Sequence, residues 1–83
     1  MQIHFLRISD VLKLRGRKRT ALYQDIRDGL FPSGVDLGGG RAVGWPAHEV
    51  EAINRAILAG KSGDELRSLV KKLLAQRVEE VAA

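Results

Sequence analysis

Between Gly16 and Pro32 the chain can hold only a short helix, and that bounded segment constrains everything around it. Thr20 to Asp28 reads as helical, with Leu22 and Ile26 one turn apart on one side and Thr20, Gln24 and Arg27 on the other. Gly29 offers the left-handed conformation that closes a helix. Pro32 cannot continue one, and it pushes Phe31 before it towards extended geometry. The helix therefore turns one face to a core and the other to a partner. At its entrance stand Arg15, Arg17, Lys18 and Arg19, four cations in five positions around Gly16. Like charges this close are locally unfavourable unless an anion is present. A short helix that is basic at its start and polar on its outer face suits the DNA major groove, which admits a helix whose first residues reach base edges.

Upstream, Phe5, Leu6 and Ile8 form a short apolar entry, Ser9 is a candidate N-cap, and Asp10 to Leu14 is a first helix with Val11, Leu12 and Leu14 apolar. Asp10 in the first turn suits the helix dipole. Helix, glycine turn and helix in about 20 residues is the spacing of a helix-turn-helix unit. Downstream, residues 33–45 (SGVDLGGGRAVGW) read as a β-hairpin packed on the helices through Val35, Leu37, Val43 and Trp45, with Arg41 projecting at the tip beside three glycines. Pro46, at a first helical position, opens a third helix to about Ala59, with Val50, Ile53, Ile57 and Leu58 apolar and Gly60 closing it. Ser62 and Gly63 start a fourth helix, Asp64 to about Val81, whose apolar Leu66, Leu69, Val70, Leu73, Leu74, Val78 and Val81 mark one face. Residues 1–60 are thus expected to form a DNA-binding unit and residues 61–83 a C-terminal amphipathic helix. Because the first three helices and the hairpin carry apolar positions of their own, the long stripe is expected to pair with a second copy through Leu66, Leu69 and Leu73 rather than fold back.

Charge sharpens this picture. The net +4 is confined to residues 1–45, where eight Lys and Arg face four Asp, while residues 46–83 hold six basic and six acidic residues. A polyanion would be met by the N-terminal half. The absence of cysteine excludes a disulfide framework and thiolate metal sites, and His4 and His48 are isolated, so neither metal nor cofactor is expected. No hydroxyl or carboxylate pair stands at motif spacing from a base, which gives no basis for an enzyme. Gly38 to Gly40 lead into a strand and lack the lysine and hydroxyl of a phosphate-binding loop. No apolar run approaches the roughly 18 residues of a membrane span, and the first ten residues lack a signal-peptide core. The expected location is the bacterial cytoplasm, at the nucleoid. Trp45 reads as the core residue of the hairpin, and Tyr23 as a packing residue whose hydroxyl reaches a phosphate.

Several local patterns, taken together, resemble the AlpA family of small prophage regulators: Phe5-Leu6-Arg7, Leu14-x-Gly16, Arg19-Thr20-Ala21-Leu22-Tyr23, Gly29-x-Phe31-Pro32, Val35-x-Leu37-Gly38, Arg41-Ala42-Val43-Gly44-Trp45 and Glu49-Val50. The resemblance spans roughly residues 5–58. It implies a mainly α winged helix-turn-helix fold, related to MerR-type and excisionase domains, with a small β-hairpin and an added C-terminal helix. It also implies a transcription regulator or a recombination directionality factor, with double-stranded DNA and an integrase or RNA polymerase as partners. It places Lys18 to Asp28 in the recognition helix and Arg41 in the wing. Lys18 stands where such proteins have a capping serine, and the wing has one glycine more than the common spacing. The combined expectation for DNA contact is Arg15, Arg17, Lys18, Arg19, Thr20, Tyr23, Gln24, Arg27 and Arg41. The competing expectation is a protein-binding module that uses the C-terminal helix, with DNA binding weak or absent.

Overall fold

A computed structural model describes the backbone of residues 2–82 and the side chains of residues 2–79. In chain order the elements are β1 (Phe5–Leu6), α1 (Ile8–Arg15), α2 (Arg19–Arg27), β2 (Val35–Asp36), β3 (Val43–Pro46), α3 (Ala47–Leu58) and α4 (Gly63–Ala82). The fold is mainly helical, with one small antiparallel sheet in the order β1-β3-β2, and the succession of α1, a three-residue turn and α2 is compatible with a helix-turn-helix. Its extents are 33 × 28 × 21 Å.

The first three helices stop in the same way. Gly16 lies at φ 62 and Gly29 at φ 76, a region that costs an L-residue about 1–2 kcal/mol. With the chain turned there, Arg17 N–H reaches Leu12 O, Leu30 N–H reaches Asp25 O, and Lys61 N–H reaches Ala56 O after Gly60, each satisfying a carbonyl the helix leaves open. Gly29 and Gly60 thus close their helices as expected, and Gly16 supplies a stop together with the tight turn into α2.

Helix starts differ from expectation. α1 begins one residue before the candidate cap Ser9, with Arg7 at the N-cap and no side-chain cap, although Asp10 does lie in the first turn. α2 begins at Arg19, before Thr20, with Lys18 at the N-cap, and Asp28 follows it as the C-cap residue. Pro46 is the N-cap of α3 and the last residue of β3, so the helix starts at Ala47. The apolar entry Phe5–Leu6 is itself a strand: Leu6 lies opposite Trp45, and Val35 opposite Gly44, which makes three strands of the expected two. An edge strand on β3 matters because an isolated hairpin this short is marginal in water.

Val11, Leu22, Phe31, Trp45, Val50, Ile53, Val70 and Leu73 form the buried core. All four helices and β3 contribute to it. Trp45 is the expected core residue, and its Nε1–H donates to Pro32 O at 2.9 Å, so the indole is both packed and satisfied. Of its expected companions, Val35 and Leu37 are half-buried and Val43 is exposed.

The fourth helix corrects the argument for self-association. Val70 and Leu73 complete the core of their own chain, Leu66, Leu69 and Leu74 are half-buried, and Val78 is 71% exposed. The side chain of Val81 lies outside the described residues. The core is therefore shared: six of its buried residues come from residues 1–60 and two, Val70 and Leu73, from α4. A buried ion pair locks the helix down. Arg77 donates through Nε to Glu49 Oε2 at 2.9 Å, through Nη2 to Glu49 Oε1 at 2.6 Å, and through Nη2 to Ser33 O at 2.9 Å. Arg67 Nε donates to Asp28 O at 2.9 Å, which ties α4 to the end of α2.

Candidate nucleic-acid interface

The turn between α1 and α2 places its cations in two different environments. Asp25, on the inward side of α2, is only 6% exposed. Its carboxylate accepts two short hydrogen bonds from Arg17, Nε to Oδ2 at 3.1 Å and Nη2 to Oδ1 at 2.9 Å, and a longer one from Arg15 Nη2 at 3.5 Å. Arg15 also donates through Nη1 to Asn54 Oδ1 at 3.4 Å, while Asn54 Nδ2 donates to Leu14 O at 3.0 Å. The Arg15 guanidinium stacks 5.4 Å from the centre of the Phe31 ring. These contacts fasten α1, α2 and α3 together.

Arg15 is therefore an inward residue. Its side chain is 9% exposed, and burial lowers its pKa against the opposing pull of Asp25. That placement removes it from the surface expected to meet phosphate. The anion that the basic cluster requires is also found within the chain, because Asp25 lies between Arg15 and Arg17. Two arginines on one carboxylate still leave a surplus positive charge, and Arg17, with its side chain 41% exposed, carries it outward.

Lys18, Arg19, Thr20, Tyr23, Gln24 and Arg27 are all exposed, so the turn and the outer side of α2 present them together with Arg17. Lys18 makes no side-chain cap and no acidic residue stands in the first turn. The positive end of the helix is consequently left open and reinforced by cations. At the other end of the same face, Arg27 Nη2 donates to Gln24 Oε1 at 2.8 Å and Gln24 Nε2 donates to Asp28 Oδ1 at 3.1 Å. The Gln24 amide is held by both ends and keeps one further N–H and lone pair for another partner. Arg41 is exposed in the loop between β2 and β3. That loop is closed at its base by Leu37 N–H to Ala42 O at 2.9 Å, and it is turned by Gly38 N–H to Asp36 Oδ1 at 2.8 Å.

Sequence reasoning missed Asp25, Asn54 and the Glu49–Arg77 pair. The signal for Asp25 was there: it lies three residues after Leu22 and directly before Ile26, on the apolar side of α2, where a lone carboxylate needs a cation. Glu49 stands likewise beside Val50 and one turn before Ile53. Among the described residues no group of His, Cys, Asp and Glu could hold a metal ion, and no helix is long and apolar enough to cross a membrane.

Comparison with known proteins adds a second kind of observation. The sequence model of a family described as prophage CP4-57 regulatory protein (AlpA) matches residues 4–53. A protein of Enterobacteria phage P4, described as uncharacterized protein ORF88, is 42% identical over 60 residues, covering 72% of this chain and 67% of its own. No solved structure matches the chain.

Proposed function

Since the chain belongs to the AlpA family of prophage regulatory proteins, we propose that it is a sequence-specific double-stranded DNA-binding regulator whose α2 enters the major groove. The β2–β3 loop acts as a wing, with Arg41 on the backbone or in the neighbouring minor groove. One observation carries this reading: the turn before α2 and the outer side of the helix present Arg17, Lys18, Arg19, Thr20, Tyr23, Gln24 and Arg27, all exposed, while the buried acid of α2, Asp25, is paired with Arg15 and Arg17. Lys18 and Arg19 flank an uncapped helix start, suited to phosphate, while Thr20, Tyr23 and Gln24 supply the groups that can address base edges. As a transcription regulator it would engage RNA polymerase, and as a recombination directionality factor an integrase. The position of its site, at a promoter or an attachment site, discriminates the two.

Selection from a random duplex pool tests the proposal, and the expected result is one enriched site. Affinity for that site should fall steeply with salt, with a log–log slope near −0.9 per phosphate contact; about five contacts give roughly a hundredfold or greater loss between 50 and 200 mM. No enrichment together with a flat salt response would remove the reading. Within the interface, Gln24→Ala should reduce discrimination by about 1–3 kcal/mol at one or two base pairs. Arg41→Ala should weaken all duplexes alike. Competition against single-base-pair variants of the site separates the two effects.

A further inference from the structure

The Asp25–Arg17 contact has a geometry that a purely structural ion pair does not need. Asp25 is inside the protein, yet the partner it holds by two short bonds is the more exposed of its two arginines. Arg15 already stands beside the same carboxylate, buried, with Asn54 and the Phe31 ring as its other supports. Arg17 is thus a second cation on an acid that has one.

The way Arg17 is held is informative. A guanidinium is planar and carries five N–H donors. Asp25 takes the side-on edge, Nε and one hydrogen of Nη2. The two hydrogens of Nη1 and the second of Nη2 lie on the remaining edges, and a pair from Nη1 and Nη2 has the spacing to bind two oxygens of one phosphate. Among the described residues, the side-chain hydrogen bonds of Arg17 go to Asp25 alone.

We propose that Asp25 is a positioning residue for DNA binding: from inside the fold it fixes Arg17 side-on, so that the adjoining Nη1/Nη2 edge of the same guanidinium takes two oxygens of a backbone phosphate beside the start of α2. This rests on the DNA-binding reading above. The gain is pre-organisation. A free arginine must be immobilised when it binds, at roughly 0.5–1.5 kcal/mol for such a side chain, which is about 2- to 12-fold in Kd. Arg17 has been ordered by folding instead. A lysine carries the same charge but has no planar fork with which to hold a carboxylate and a phosphate at once.

The test uses the full chain and the duplex obtained by selection, and compares the wild type with Arg17→Ala and Arg17→Lys by Kd and by salt slope. Arg17→Ala should weaken all duplexes alike and reduce the slope by about 0.9, one phosphate contact. Arg17→Lys should restore the slope while binding about 2- to 12-fold more weakly than the wild type. Wild-type affinity and slope in Arg17→Ala would mean that Arg17 only neutralises Asp25, and Arg17→Lys equal to the wild type would mean that charge alone suffices. Either result overturns the proposal. Should Arg17→Ala not fold, the wild-type protein still decides: the Arg17 Hε resonance should be visible and protected from exchange both free and on DNA, and its loss on DNA would show that the guanidinium leaves Asp25 to bind. A wild-type chain that binds no duplex specifically and shows no salt dependence rejects the DNA reading itself, a different failure from a wild type that binds and is indifferent to Arg17.

Discussion

Glu49 is 1% exposed, and Arg77 is the cation that compensates it, donating to both of its carboxylate oxygens. Removing the cation strands a charge in the core, so Arg77→Ala should destabilise the chain by about 3–5 kcal/mol, as loss of one partner of a buried pair does. The midpoint of urea unfolding reads this directly, and a change within about 0.5 kcal/mol, typical of a surface substitution, would show that Glu49 finds another partner. Such residues are hard to see in a sequence. Glu49 and Asp25 carry the charge that usually marks a solvated face, and only their position within apolar spacing, one turn from Ile53 and Leu22, betrays burial. Their cations lie eight to 28 residues away, a distance no local pattern reports. At the surface, Glu65 offers a pH-dependent contact. The Ser62 backbone N–H, and then its hydroxyl, hold the Glu65 carboxyl below 4.5, its ordinary value. The folded form thus gains stability that is present above the ordinary value and lost as pH falls through the lower, folded one. The amide resonance of Ser62 should therefore titrate with a midpoint below pH 4.5, and in Glu65→Gln that titration should disappear.

At the level of elements, the glycine stops were the most legible part of the chain, and the helix starts the least. Gly29 and Gly60 close their helices as the sequence indicates, because a left-handed turn after an apolar face has few other solutions. The starts lie a residue or more from those the sequence indicates because α1, α2 and α3 make no side-chain cap: the candidate cap Ser9 goes unused, and α2 begins at Arg19 behind an uncapped Lys18. β1 escaped notice since two residues carry no periodicity, and only pairing with Trp45 and Pro46 makes Phe5–Leu6 a strand. The uncapped start of α2 leads to a prediction in which stability and binding part company. Lys18→Ser should supply the missing acceptor and stabilise the chain by about 0.5–2 kcal/mol. It also removes a cation from the helix end proposed to meet phosphate, so affinity should fall and the salt slope shrink by up to about 0.9. Thermal unfolding and a salt titration on the same protein check both halves. Greater stability with unchanged affinity would detach Lys18 from the interface.

For the whole molecule, the question is what α4 covers. Its apolar stripe is long enough to suggest a second chain, but Val70 and Leu73 fill the body of their own, while Arg77 and Arg67 fix the helix to Glu49, Ser33 and the last turn of α2. A chain of 83 residues buries a smaller share of its surface than a larger one, which favours use of the inner side of α4 in its own core. α4 packs against α3 and is tied through Arg67 to Asp28, the residue that closes the helix proposed to read DNA. Truncation of Leu73 separates this arrangement from a dimer seam. If Leu73 packs within its own chain, Leu73→Ala should cost about 2–5 kcal/mol, and the unfolding midpoint of wild type and variant should be the same at every protein concentration. A seam between two chains behaves differently, because folding is then linked to association and the midpoint rises with concentration. A wild-type midpoint that climbs over a hundredfold range, and ceases to climb in Leu73→Ala, would return α4 to the role of an interface.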